Sequence, residues 1–179
     1  MTGTARLTDL DANGRPIYGP DPFTVSKAVT FTTNGAVVKK IFKVTGSVEV
    51  GAIYGVVTTA IGSNHTAAYF RIDDQTLTNQ VITLATGVTM SSLPAGSLIM
   101  RTSLVGVAAV ASTAATGLVT DPIAATVPQF FMPFVITQKT GAIETDIEYV
   151  YTTNNTSLGA MTFYVRYRPL TSSSIVIPA

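Results

Sequence analysis

Ile143-Glu144-Thr145-Asp146-Ile147-Glu148-Tyr149-Val150-Tyr151 and, after nine intervening residues, Met161-Thr162-Phe163-Tyr164-Val165-Arg166-Tyr167-Arg168 decide the fold class. Large apolar side chains recur at alternate positions: Ile143, Ile147, Tyr149 and Tyr151 in the first stretch, Met161, Phe163, Val165 and Tyr167 in the second. A strand turns successive side chains to opposite faces, so a period of two marks half-buried strands. The opposite faces carry Glu144, Asp146 and Glu148, and Thr162, Tyr164, Arg166 and Arg168. A hairpin with its turn near Thr156 would set Asp146 opposite Arg166 and Glu144 opposite Arg168. Such exposed pairs contribute only ~0–1 kcal/mol, so their expected role is register.

The same texture extends back to Ser26. Short runs rich in Val, Ile, Thr, Tyr and Phe are broken every eight to twelve or so residues by turn formers, as in an all-β sandwich or barrel. Strands are expected near 27–33, 36–44, 47–61, 67–72, 80–84, 97–104, 106–111, 130–137, 142–152 and 160–169. Asn34-Gly35 supplies two residues tolerant of positive φ, which predicts a tight hairpin between the first two strands. Gly51 and Gly55 inside the third predict a bulge or a close backbone approach. The fold class is all-β: an antiparallel β-sandwich or jelly-roll-like barrel with an extended N-terminal arm. Residues 1–24 form the arm, dense in turn formers and poor in apolar residues. Residues 25–170 form the sandwich domain and 171–179 a C-terminal tail.

Composition narrows the function classes. The chain has 29 threonines, no cysteine, no tryptophan and one histidine. Without cysteine there is no disulfide framework, thiol nucleophile or Cys-based zinc site. Charged residues make up 12%, against about 25% in an average domain, so a Thr- and Ser-rich surface loses little on contact with another protein. A net charge of +1 gives no field to steer the chain toward nucleic acid or an anionic membrane, and neither is expected as a partner. Met1 to Leu10 has no apolar core of a secretory signal. The uncharged stretch Thr102–Thr120 is long enough to cross a bilayer but rich in small residues, and is expected as a buried sheet segment.

No motif supports an enzyme, a metal site or a cofactor, and none is expected. Glu144, Asp146 and Glu148 could face a hard cation, but alternate strand positions lie ~6.5–7 Å apart, wide for one ion. With two arginines opposite, a paired, solvated face is the expectation. Asp73-Asp74 reads as a turn. His65 follows Gly62-Ser63-Asn64 and reads as an exposed loop-tip residue without partners for metal or triad chemistry. Lys39, Lys40 and Lys43 read as an edge cluster that blunts strand pairing. The Asn-X-Thr/Ser patterns at Asn64, Asn154 and Asn155 read as chance matches in a Thr-rich chain. The segment from Val127 to Phe134 sets Phe130, Phe131, Met132 and Phe134 among two prolines, which fits either the core or a subunit interface. Pro16, Tyr18 and Phe23 of the arm join them as candidate interface residues.

In texture and layout the stretches Lys40–Val48, Ala52–Val57 and Met161–Leu170 resemble virion structural proteins of tailed bacteriophages, above all small capsid decoration or cement proteins, over most of residues 26–170. The resemblance implies a β-rich homo-oligomer, often a trimer. Such a protein binds the major capsid protein on the capsid exterior and reinforces joints between shell subunits. It carries over no catalytic residue and no small-molecule substrate. Tail, neck or fibre components are the nearest alternative. A carbohydrate-binding β-sandwich is another, but such modules present Trp or Tyr platforms; without Trp, silence on a glycan array is expected.

Overall fold

The computed structural model describes residues 23–31, 34–74, 80–83, 85, 87–101, 109–112, 133–138, 145–154 and 159–179. Eleven strands follow in chain order: β1 Phe23–Thr30, β2 Gly35–Thr45, β3 Ser47–Thr59, β4 Thr66–Asp73, β5 Gln80–Val81, β6 Leu98–Met100, β7 Val110–Ser112, β8 Phe134–Thr137, β9 Thr145–Thr153, β10 Ala160–Pro169 and β11 Ile175–Pro178. Each of the ten expected strands has a counterpart. The eleventh, β11, lies in the stretch expected as a tail.

The strands form two antiparallel sheets. The first runs β1-β10-β3-β6-β7, with β8 beside the start of β3; the second runs β11-β2-β9-β4-β5. Pairing is nested: β1 with β10, β2 with β9, β3 with β8 and β4 with β5. That is one long hairpin rolled over so that its arms alternate between two sheets, the strand order of a jelly roll.

Nesting overturns both expected hairpins. β1 and β2 belong to different sheets, so Asn34-Gly35 lies on a connection between the sheets and closes no hairpin. Gly35 does take a positive φ, +93°. β9 and β10 are likewise split, so Asp146 and Arg166 sit on opposite sheets. Turn chemistry reverses a chain, but which edges then pair depends on how the whole molecule closes.

The inward alternation survives this rearrangement because it depends on burial, not partner. Ile147, Tyr149 and Tyr151 of β9 face Met161, Phe163, Val165 and Tyr167 of β10 across the core, all buried. The Phe163 ring lies 4.8 Å from Tyr149 and 6.2 Å from Phe70 on β4, centroid to centroid, joining the layers. Burying a side chain of this size stabilises by roughly 2–3 kcal/mol.

In β3 the inward residues switch from even to odd numbering: Val48 and Val50, then Ile53 and Val57. The switch falls at Gly51, where Tyr167 pairs with Val50 and Arg166 with Ala52, leaving Gly51 as the extra residue of a bulge. Gly55 is a close approach: a Cβ there would stand 2.8 Å from Met161 Cε and 2.9 Å from the Phe163 ring. Both glycine expectations hold. Gly46 alone links β2 to β3 across the sandwich, at φ +71° and with Ser174 packed on its Cα.

Candidate binding face

The charges of β9 face outward from the second sheet, yet they are buried rather than solvated. Register places Lys40 of β2, Glu148 of β9 and Arg71 of β4 in one row, and Lys43, Asp146 and Asp73 in the next. Arg71 Nε donates to Glu148 Oε2 at 2.6 Å, and Lys40 Nζ reaches Asp146 Oδ2 at 2.5 Å. Both carboxylates are almost fully buried. The expected partners, Arg166 and Arg168, are on the other sheet, and Glu144 lies outside the described residues. Lys40 is thus a counter-ion; β11 covers β2 only from Phe42 to Thr45, so Lys43 lies between two strands while Lys39 and Lys40 lie beyond that pairing. Asp73 ends β4 and Asp74 follows it, while residues 75–79, into which the expected turn would run, lie outside the described residues. Among the described residues no group of three His, Asp or Glu gathers as a metal site.

His65 corrects a second expectation, for it is buried. Asn64, with φ +66°, completes the turn, and the next residue points into the core. Its ring stacks on Tyr151 at 4.3 Å, 9° from parallel, and Nε2 lies 2.9 Å from the Tyr149 hydroxyl. Phe31 closes the cluster at 5.0 Å. Desolvation pushes the His65 pKa down to about 4 and the Tyr149 pKa well up, Tyr151 adding to the latter. A neutral imidazole inside an aromatic cluster is core structure.

Of the candidate interface residues, Pro16, Tyr18, Phe130, Phe131 and Met132 lie outside the described residues. Phe23 opens β1, exposed, with its ring 5.6 Å from Tyr167. Phe134 is half-buried against the core, and the Arg101 guanidinium covers its ring at 4.3 Å. Only Ala109 to Ser112 of the uncharged 102–120 stretch are described, and they include β7. Among the described residues no helix is long and apolar enough to cross a membrane.

The outer face of the first sheet carries a groove that sequence reading missed. Glu49, Gly51, Ala52 and Tyr54 of β3 run along it, with Gly51 and Ala52 as the low floor; Arg166 and Arg168 of β10 stand on one side and Met100 of β6 and Pro133 on the other, with Tyr167 beneath, and its volume is about 400 Å³. The floor is low because the bulge adds a residue without a side chain, while alternation turns Ala52, Tyr54, Arg166 and Arg168 outward. Tyr54 stacks on Tyr164 of β10, its direct cross-strand neighbour, at 5.0 Å and 15°. Such a pair adds about 0.5–1.5 kcal/mol beyond area burial. Burial and the neighbouring Tyr164 raise the Tyr54 pKa, with Arg166 pulling it back. The glycine inside a strand was the one sequence signal for this place.

A second feature is apolar. Val135, Leu170, Ile175 and Ile177 are 41–57% exposed. Backbone pairing brings their chain segments to one end of the sandwich, on both outer faces: Val135, opposite Glu49, turns out of the first sheet, Ile175 and Ile177, opposite Thr45 and Lys43, turn out of the second, and Leu170 N donates to Ser47 O. All flank the Gly46 corner.

Comparison with known proteins leaves the chain on its own evidence: no protein-family model matches it, and neither a curated protein nor a solved structure does so at a significant level.

Proposed function

We propose that this protein is a structural binding protein of a bacteriophage particle, seated on the outer surface of the capsid, where it reinforces joints between shell subunits. The apolar end around Gly46 carries the reading. Single exposed apolar side chains are ordinary, but four large ones at one end of a sandwich, two of them on the terminal strand of a sheet, suit a surface covered in an assembly. The sequence resemblance to decoration proteins supports the same reading. The partner is the major capsid protein, the protein also meets its own copies, and repetition over a symmetric shell makes weak single contacts sufficient.

Quantitative mass spectrometry of purified extracellular particles from the source culture tests this. A copy number near that of the most abundant shell protein, or a simple large fraction of it, supports shell decoration. A few copies per hundred shell subunits would move the protein to the tail or neck. Absence from particles would reject the virion reading.

A further inference from the structure

We infer that the groove over Gly51 is a binding site for an acidic saccharide, a sugar unit bearing a carboxylate. The inference stands on the groove alone and holds whether or not the protein decorates a shell.

Size and lining come first. A groove of about 400 Å³ falls within the ~300–1,000 Å³ range of small-ligand sites, and its mix of apolar walls with a few convergent polar groups is the usual one. Here Tyr54, Met100 and Pro133 offer apolar surface, while Arg166, Arg168 and Glu49 offer charge. Among the described residues neither arginine forms an ion pair, although Glu49 stands opposite Arg168 in register. Two exposed guanidiniums over an apolar floor are poised for a carboxylate, which their planar forks match with paired hydrogen bonds.

Glu49 separates the ligand classes. A nucleic-acid phosphodiester offers only acceptors and a phosphate ion little else, and the neighbouring carboxylate repels both. A sugar acid offers both kinds of group: its carboxylate accepts from Arg166 and Arg168, and its hydroxyls donate to Glu49. The C–H face of the ring can lie against Tyr54, an aromatic body with a polar tip. The missing tryptophan, which argued against sugar binding from sequence, is offset by a tyrosine that the fold stacks and holds in place.

The site can be plugged without disturbing the core. A Cβ on Gly51 would meet only Arg166 O, at an ordinary 3.8 Å, and the residue has no positive φ, so Gly51→Leu fills the floor from an unstrained backbone. Bead-displayed protein would be screened against oligosaccharides ending in glucuronate, galacturonate or sialate, each beside its neutral counterpart. Inorganic phosphate serves as competitor and thermal melting as the check on folding. Expected is retention on at least one acidic glycan, at least tenfold weaker retention on its neutral partner, a similar loss for Arg166→Gln and near-complete loss for Gly51→Leu at unchanged melting temperature. No retention on any acidic glycan would overturn the assignment, as would equal retention by Gly51→Leu. Release by phosphate at concentrations matching the free sugar acid would reduce the groove to a general anion site and overturn it too.

Discussion

At the scale of single residues, two buried polar groups dominate what can be measured. His65 has an ordinary pKa of 6.5 when unfolded and about 4 in the core, so the folded state holds the neutral ring. Its contribution is complete above pH 6.5 and is lost as pH falls from there through 4, because the unfolded chain takes up a proton that the folded one resists. The full loss is about 3 kcal/mol. Urea midpoints from pH 7 to 4 should show this excess loss in the wild type and not in His65→Phe; equal acid sensitivity would place the effect elsewhere. Arg71 and Glu148 make the second case. Arg71→Ala leaves a buried carboxylate without its closest partner and should cost about 3–5 kcal/mol, while replacing both with Met and Leu should return stability to within about 1 kcal/mol of wild type. These residues also show the limit of sequence reading. Gly62-Ser63-Asn64 announces a turn correctly, but the residue after a turn points inward or outward according to the strand that follows. Only the packed aromatic cluster reveals that it is inward.

At the scale of elements, glycine positions in and around β3 decide its course. Gly55→Ala would push Met161 and Phe163 off their packing and should cost about 1–3 kcal/mol by chemical denaturation. β11 predicts the reverse pattern, in which function moves and stability does not. Ile175→Asp and Leu170→Asp alter exposed side chains, so melting should shift by no more than about 0.5 kcal/mol, whereas occupancy on particles should fall. Unchanged occupancy would release the apolar end from the proposed contact. Strand existence was legible because alternation reports which side is buried; even the parity switch in β3 is written as a glycine in a run of Val and Ile. β11 went unread because Ile175-Val176-Ile177 is short and buries only Val176, too little alternation to separate from a tail.

For the whole molecule, the nested order brings the first strand to the last but one, Phe23 opposite Tyr167, before the layers can close. Pairings this distant in sequence incur loop-closure entropy before they return contact energy, so refolding should fall in the millisecond-to-second range typical of β-sandwiches. Stopped-flow refolding measures this directly, and microsecond folding would contradict a transition state built on β1–β10 and β2–β9. The sequence by itself determined the all-β class, the number and place of ten strands and the side of β10 and most of β9 that enters the core, because burial acts on side chains and leaves a period in them. Tertiary structure alone decided which strands pair, that Asp146 and Glu148 meet Lys40 and Arg71, that His65 is core, and that Tyr54, Gly51 and Arg166 share one groove. Backbone hydrogen bonds are nearly the same for every residue type, so the pairing partner is chosen by closure of the sandwich as a whole, and any site assembled across strands inherits that choice.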